Sequence, residues 1–162
     1  MAKQVLFVCT GNSCRSVMAQ GLLQHQLKQL ESKLPEAVEV SSAGIFAIEG
    51  LSPSRDTLAL LQREGIDFSS HMARMLTDDM IRHSDLIFVM EQFHQDEILR
   101  RVPEAAGKVQ VLSRAYRPEA SPVEAIDIPD PIGKPGEVYE SCFETIRQAV
   151  VRVADALAAS QR

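Results

Sequence analysis

Residues 5–16, VLFVCTGNSCRS, join an uninterrupted apolar run to a polar stretch with a glycine, two cysteines and an arginine. The run at residues 5–8 is typical of a strand that is buried on both faces. After the polar stretch, apolar residues from Ala19 to Leu30 recur at spacings of three and four, which indicates an amphipathic helix. The order of strand, glycine-containing loop and helix predicts the opening unit of an α/β fold.

The same alternation continues along the chain. Apolar runs predict further strands at residues 38–41, 85–90 and 109–112. Helices are expected from a cap and proline at 52–53 to Gly65, over about residues 92–101, and over about residues 138–157. We therefore predict one domain over residues 1–162, a three-layer α-β-α sandwich with a four-stranded parallel sheet. Such sheets bind ligands beyond the carboxyl ends of their strands, where the loop after the first strand lies.

The composition argues against some classes of binding partner and indicates a cellular compartment. The formal net charge of −5 argues against a nucleic-acid-binding protein, which would carry a basic face. Apolar runs are too short or too interrupted by charge to predict a membrane span. Three cysteines are an odd number and fit a reducing compartment better than a disulfide framework. The expected location is the cytoplasm, with no nucleic-acid or membrane partner.

The residue types at positions 9–16 suit the capture of a phosphoryl group and attack on it. A loop at a helix N-terminus points backbone N–H groups inward and forms an anion cradle, and Gly11 permits the turn. Arg15 can grip two phosphoryl oxygens, and the positive field favours the thiolate of Cys9, the form that attacks phosphorus. Ser16 is placed to hydrogen-bond the sulfur as it leaves. The spacing alone is weak, and an inert buried cysteine is the alternative, which the position between strand and helix disfavours.

With these residues, the chain resembles the low-molecular-weight protein tyrosine phosphatase family, from VLFVCTGNSCRS through an Asp-Pro loop to the last helix. The resemblance implies a phosphorylated protein as substrate, inorganic phosphate as product, a phosphocysteine intermediate, and neither cofactor nor metal. It assigns catalysis to Cys9 and Arg15. The implied phosphate-binding loop contains Thr10, Gly11, Asn12, Ser13, Cys14 and Ser16. We expect the protein to act as a monomer.

The resemblance also assigns supporting residues. Ser42 and His71 match family residues that brace the loop through hydrogen bonds to Asn12. The remaining histidines have no such match and are expected to face solvent; they are His25, His83 and His94.

The general acid is expected on the proline-rich loop at residues 117–136. Its stretch IDIPDPIGKP offers Asp127 and Asp130, either of which could simply set a turn before proline. The family's Asp-Pro pair matches Asp130 and Pro131, so Asp130 is the predicted acid and Asp127 the alternative.

Departures from the family pattern leave the substrate residue open. Tyrosine-specific members usually carry aromatic residues after Asp-Pro, where this chain has Ile132 and Gly133, and a bulky aliphatic residue where it has Ser13. A small hydroxyl residue at that position resembles the protein arginine phosphatase branch. Phe46 and Ile132 are the candidate substrate walls. Phosphotyrosine is favoured by the family as a whole, and phosphoarginine is the alternative.

Other chemistries fit less well. Arsenate reductases with this loop need two additional cysteines on a mobile segment; residues 90–107 contain none, and Cys142 fits the core face of the last helix. Cys9 and Cys14 lack a second pair of ligands for zinc. A module that only binds phosphoproteins is disfavoured because nucleophile, arginine and acid are all present. The resemblance also implies that Cys14 can pair with an oxidised Cys9 in a reversible disulfide.

Overall fold

The computed structural model describes residues 2–118 and 127–160, which form a four-stranded parallel sheet covered by helices. The strands are β1 (Lys3–Cys9), β2 (Val38–Gly44), β3 (Leu86–Val89) and β4 (Val109–Val111). The helices are α1 (Arg15–Gln29), α2 (Arg55–Arg63), α3 (Asp78–His83), α4 (Gln92–Arg101) and α5 (Gly136–Ala159). All strand pairs are parallel, in the order β2-β1-β3-β4. The predicted sheet is confirmed.

Alternate residues of β1 enter two separate cores. Val5 and Phe7 pack with apolar residues of α1, α2 and α5 on one face of the sheet. Leu6 and Val8 pack on the other face, with Ile81 of α3 and residues of α4. A strand with helices on both faces must be apolar at every position, which explains the continuous run at residues 5–8. The predicted three-layer sandwich is confirmed.

The strand order places the 9–16 loop where ligands bind in such sheets. The chain passes from β1 to β2 on one side, and then to β3 on the other side of β1. The loops that follow β1 and β3 therefore leave the sheet in opposite directions and open a crevice at its carboxyl edge. Among the described residues, no helix has the length and apolarity needed to cross a membrane.

Helix α2 begins later than the sequence predicts. Its cap is Ser54, whose Oγ accepts a hydrogen bond from Thr57 N at 3.3 Å, rather than Ser52. The backbone N of Ser54 donates to Ser13 O at 3.0 Å, so the segment before the helix is held in extended form against the 9–16 loop. Gly65, with φ of 77°, follows the helix end as expected.

Helix α3 was not predicted. Thr77 caps it by accepting a hydrogen bond from Met80 N at 3.1 Å, and the two acidic residues that follow suit a helix N-terminus. Its six residues bury only Ile81, which leaves too little periodicity to detect. The Thr-Asp-Asp sequence, a cap followed by an acidic first turn, was the feature that could have predicted this helix.

Candidate active site

The sulfur of Cys9 lies at the carboxyl end of β1 and is surrounded by polar groups. Cys9 is 2% exposed, and its Sγ is 2.9 Å from the Oγ of Ser16, in the first turn of α1. The backbone N–H of Asn12 also donates to this sulfur, at 3.3 Å. Hydrogen-bond donors at sulfur stabilise negative charge there, so the arrangement suits a thiolate nucleophile.

The side chain of Asn12 orients the hydroxyl that faces the sulfur. Its Nδ2 donates to Ser16 Oγ at 2.8 Å and to Ser42 Oγ at 2.9 Å, and its Oδ1 accepts from Arg74 N at 3.1 Å. Because Ser16 Oγ accepts from Asn12, the hydroxyl proton of Ser16 is available to Cys9 Sγ. The residue has φ of 53°, a left-handed conformation that asparagine tolerates better than most residues.

The two predicted bracing residues take different positions. Ser42 makes the expected hydrogen bond to the side-chain amide of Asn12. His71 instead lies beside the Asn12 backbone, and the backbone N–H of Arg74 donates to the Asn12 amide oxygen. Burial lowers the pKa of His71 below its ordinary value; its interaction with the Asn12 backbone opposes this, and repulsion from Arg74 adds to it. Its Nε2 makes no well-formed hydrogen bond within the described part of the chain.

The guanidinium of Arg15 is 1% exposed and held from several directions. Its Nη1 donates to Glu91 Oε2 and to Ile128 O, both at 2.7 Å. Its Nη2 lies 3.5 Å from Thr10 Oγ1 and 3.7 Å from Asp130 Oδ2. Both Nη1 protons are thereby used and one Nη2 proton faces Thr10, so among the described contacts Nε–H and the second Nη2 proton are the donors left to face a bound anion. Sequence pattern did not indicate that Glu91 and Ile128 hold this arginine.

His94 is buried, so the expectation that it faces solvent is wrong. One ring nitrogen, Nε2, is 2.9 Å from Thr10 Oγ1, and the other, Nδ1, accepts from Glu91 N at 3.0 Å. Burial, with repulsion from Arg15, lowers the pKa of His94 to about 3. The spacing of Glu91 and His94 at the start of α4 resembles a capping box and was the available signal. As expected, His83 is exposed, whereas His25 is half-buried.

The two aspartates of the proline-rich loop have different partners. Asp127 Oδ1 accepts from Gln92 N at 2.7 Å and thus binds the N-terminus of α4. Asp130 Oδ1 accepts from Ile132 N at 3.0 Å, and its Oδ2 faces Arg15. Of the two, Asp130 is the one that the structure brings to the arginine. Residues 119–126 of this loop lie outside the described residues.

The three candidate specificity residues differ in exposure. Phe46 and Ile132 are 70% and 53% exposed, so both project from the surface near the site. Ser13 is buried within the loop, with its Oγ 3.8 Å from Cys14 Sγ. The two apolar side chains are thus accessible from solvent, whereas the Ser13 hydroxyl is enclosed.

The other cysteines are free thiols in different surroundings. Cys14 Sγ lies 3.3 Å from Ser54 Oγ and 3.7 Å from the Tyr139 hydroxyl. Cys142 is in the core, as predicted, and burial raises its pKa to about 12. A disulfide between Cys9 and Cys14 stays a prediction. No cluster of three His, Cys, Asp or Glu side chains in the described ranges could hold a metal ion.

Gly44, the last residue of β2, lies directly against the 9–16 loop. It pairs with Cys9, three residues beyond the predicted strand end. A Cβ at this position would lie 2.5 Å from Thr10 O and 2.9 Å from Asn12 N. Both contacts are with backbone atoms, which cannot move aside without moving the loop.

We therefore expect Gly44→Ala to lower the free energy of unfolding by about 1–3 kcal/mol and to lower kcat/KM as well, because the loop must shift. Denaturant unfolding and steady-state kinetics measure the two effects. Gly136→Ala is the matched control: its Cβ would have no neighbour within 4 Å, and alanine favours a helix. A Gly44→Ala protein as active and stable as the control would contradict the prediction.

The family model for low molecular weight phosphotyrosine protein phosphatases matches residues 4–162. The chain belongs to this family. Among curated phosphatases, a protein-arginine-phosphatase of Geobacillus stearothermophilus is 37% identical over 161 residues, covering 99% of this chain and 100% of the relative. The probable low molecular weight protein-tyrosine-phosphatase EpsP of Ralstonia nicotianae is 36% identical, covering 93% and 92%.

A solved phosphatase structure shares the fold. A mutant of YwlE arginine phosphatase with a phosphorylated active-site serine matches with a TM-score of 0.84 and 25% identity, covering 98% of each chain. The predicted membership of the low-molecular-weight phosphatase family is confirmed, and its members with tyrosine phosphatase and arginine phosphatase names are about equally similar to this chain.

Proposed function

We propose that this phosphatase removes phosphoryl groups from proteins by using Cys9 as its nucleophile, without a metal ion. The arrangement at the sulfur carries the proposal: Ser16 Oγ is 2.9 Å from Sγ and the Asn12 backbone donates to it, and the same loop carries the buried Arg15. Such a site combines an activated sulfur with a fixed positive charge for the phosphoryl oxygens.

In the first step, the Cys9 thiolate attacks phosphorus and the bond from phosphorus to the leaving atom breaks. Arg15 and the loop N–H groups stabilise the charge on the transferring oxygens. Asp130 gives its proton to the leaving atom, and the product is phosphocysteine. The phosphorylated active-site serine in the YwlE mutant supports a covalent intermediate in the family. The position of Asp130 Oδ2 beside Arg15 supports its assignment over Asp127.

In the second step, water attacks the phosphocysteine and the sulfur leaves as thiolate. The Asp130 carboxylate takes a proton from the water, and inorganic phosphate is the product. The Ser16 hydroxyl, oriented by Asn12, donates to the departing sulfur. The same polar groups thus serve the sulfur as nucleophile and as leaving group.

Phosphotyrosine is the proposed substrate residue. Phe46 and Ile132 are exposed apolar side chains near the site, which suits contact with the faces of a phenyl ring. Relatives named as protein-tyrosine-phosphatases, such as EpsP, support this proposal.

Phosphoarginine is the second candidate, favoured by Ser13. Its small hydroxyl side chain is enclosed in the loop, at the position where tyrosine-specific members usually carry a bulky aliphatic residue. The relative named protein-arginine-phosphatase supports this alternative. In that reaction the bond from phosphorus to nitrogen breaks, and Asp130 protonates the leaving nitrogen.

The test is phosphate release from two peptides of the same sequence, one with phosphotyrosine and one with phosphoarginine, in the presence of a chelator. Cys9→Ser is the control for each. A higher kcat/KM for the phosphotyrosine peptide supports the proposal, whereas a higher value for phosphoarginine supports the alternative that Ser13 favours. Release from neither peptide, or release by the control, overturns the phosphatase proposal.

We expect Asp130→Asn to lower kcat on the phosphotyrosine peptide by about 10²–10⁴-fold, because the amide cannot donate a proton to the leaving oxygen. The loss should be smaller for an aryl phosphate whose leaving group needs no proton. Asp127→Asn is the matched variant and should retain most activity. Equal losses in the two variants would contradict the assignment of the acid.

The remaining proposals concern the protein's setting. Three free thiols support the cytoplasm as the location. We propose that residues 1–162 act as one phosphatase domain and as a monomer, since the residues assigned to the reaction all come from one chain.

A further inference from the structure

We propose that His94 is a positioning residue, which fixes the Arg15 guanidinium for phosphoryl binding through Thr10 and Glu91. The inference rests on the proposed phosphatase function, because it concerns the same site. His94 does not touch Arg15 by hydrogen bond; it contacts two of the groups that hold the guanidinium.

The hydrogen bonds of His94 determine where its proton lies. The backbone N–H of Glu91 can only donate, so Nδ1 of His94 must accept and carry no proton. A neutral imidazole has one N–H, which must then be on Nε2 and donate to Thr10 Oγ1 at 2.9 Å. The complete burial of the ring favours this neutral form, which also avoids a second positive charge near Arg15.

This tautomer orients the hydroxyl of Thr10. Its oxygen has two lone pairs: one accepts from His94, and the other faces Arg15 Nη2 at 3.5 Å. The hydroxyl proton therefore points towards neither partner. Without the donor at His94, the hydroxyl could rotate and present its proton to the guanidinium, which would repel it.

His94 acts on the opposite side of Arg15 as well. By accepting from Glu91 N, it fixes the backbone of the residue whose carboxylate binds Nη1 at 2.7 Å. A single buried ring thus supports contacts on both Nη atoms. Two parallel hydrogen bonds to phosphate require a guanidinium that is held in one orientation. The contacts of His94 should therefore strengthen phosphoryl binding.

Two substitutions separate this role from that of a simple core residue. His94→Asn can keep an acceptor for Glu91 N but has no group that reaches Thr10. His94→Gln can place an amide N–H near the position of Nε2 but loses the acceptor near the backbone. The first variant should retain the helix start, and the second should retain the orientation of Thr10.

The measurements are the dissociation constant for inorganic phosphate, kcat and KM on the phosphopeptide, and the thermal midpoint of each variant. We expect His94→Asn to weaken phosphate binding by about tenfold, the typical effect of one lost hydrogen bond. His94→Gln should stay within about threefold of the native protein, although its thermal midpoint is no higher than that of the asparagine variant. Thr10→Val should bind phosphate as weakly as His94→Asn, and combining the two should cause no further loss.

The proposal is overturned if phosphate affinity follows thermal stability across the variants, if glutamine fails to restore it, or if the losses from Thr10→Val and His94→Asn add. These outcomes would leave His94 as a core residue only. Failure of the native protein to hydrolyse either phosphopeptide would overturn the proposed function instead, since phosphate binding tests His94 without turnover.

Discussion

Cys9→Ser should lower kcat/KM by at least about a thousandfold, which corresponds to more than about 4 kcal/mol of transition-state stabilisation. A serine hydroxyl is not ionised near neutral pH and cannot replace the thiolate as nucleophile. The fold should persist, because the new hydroxyl can still bond to Ser16 Oγ and Asn12 N, both near the native sulfur. Phosphate binding, measured by calorimetry, should therefore survive the loss of turnover.

Cys142→Ser is the matched control for loss of a thiol. This residue is buried in the core at α5, and its raised pKa of about 12 keeps the thiol protonated. We expect a loss of about 1–3 kcal/mol in the free energy of unfolding from burying a hydroxyl, with kcat unchanged for the folded protein. Substantial turnover by Cys9→Ser, or equal losses of kcat in both variants, would refute the assignment of the nucleophile.

Arg15→Lys should lower kcat/KM by about 10²–10³-fold although the charge is kept, because one ammonium cannot reproduce the planar fork. The native Nη1 donates to both Glu91 and Ile128, and a lysine ammonium that turned towards the phosphate would leave at least one of these acceptors unpaired. We expect a loss of about 1–3 kcal/mol in stability from this source. Kinetics, phosphate affinity and denaturant unfolding measure the three effects.

Arg63→Lys provides the comparison at the surface. Arg63 also makes a bidentate pair, with Glu140 at 2.8 and 2.9 Å, but both side chains are more than half exposed. Replacement there should cost no more than about 1 kcal/mol and leave kcat unchanged. If Arg15→Lys behaved like this control, the buried guanidinium would not be the phosphoryl-binding group.

Hydrophobic pattern was sufficient to predict the sheet and its covering helices, because β1 and the long α5 each have a strong, continuous signal. Prediction failed where one or two hydrogen bonds decide the structure. The start of α2 depends on whether Ser52 or Ser54 meets a helix N–H, and Ser54 does because its own backbone binds Ser13 O. Helix α3 buries a single apolar side chain and leaves almost no pattern.

The 9–16 loop could be proposed as a site from sequence because its candidate residues are adjacent along the chain. The groups that support Arg15 come from distant parts of the chain, and their side chains look ordinary in sequence. Glu91 and His94 lie in a polar stretch, and Ile128 contributes only a backbone carbonyl. The parallel pairing of β1 and β3 brings Glu91 and His94 to the arginine, and Ile128 is held there by its N–H bond to Met90 O at 2.9 Å, so local sequence could not assign them.

The pairing of Cys9 with Gly44 makes the conformation of the 9–16 loop depend on a completed β2 strand. Just beyond β2, Ile45 N and Phe46 N donate to Cys9 O and Thr10 O at 3.0 and 2.9 Å. These non-local bonds require the whole β1–α1–β2 crossover, so Cys9, the proposed nucleophile, reaches its native conformation only after that unit has assembled. In the folded protein, local unfolding at the end of β2 would abolish catalysis while the rest of the sheet stays intact.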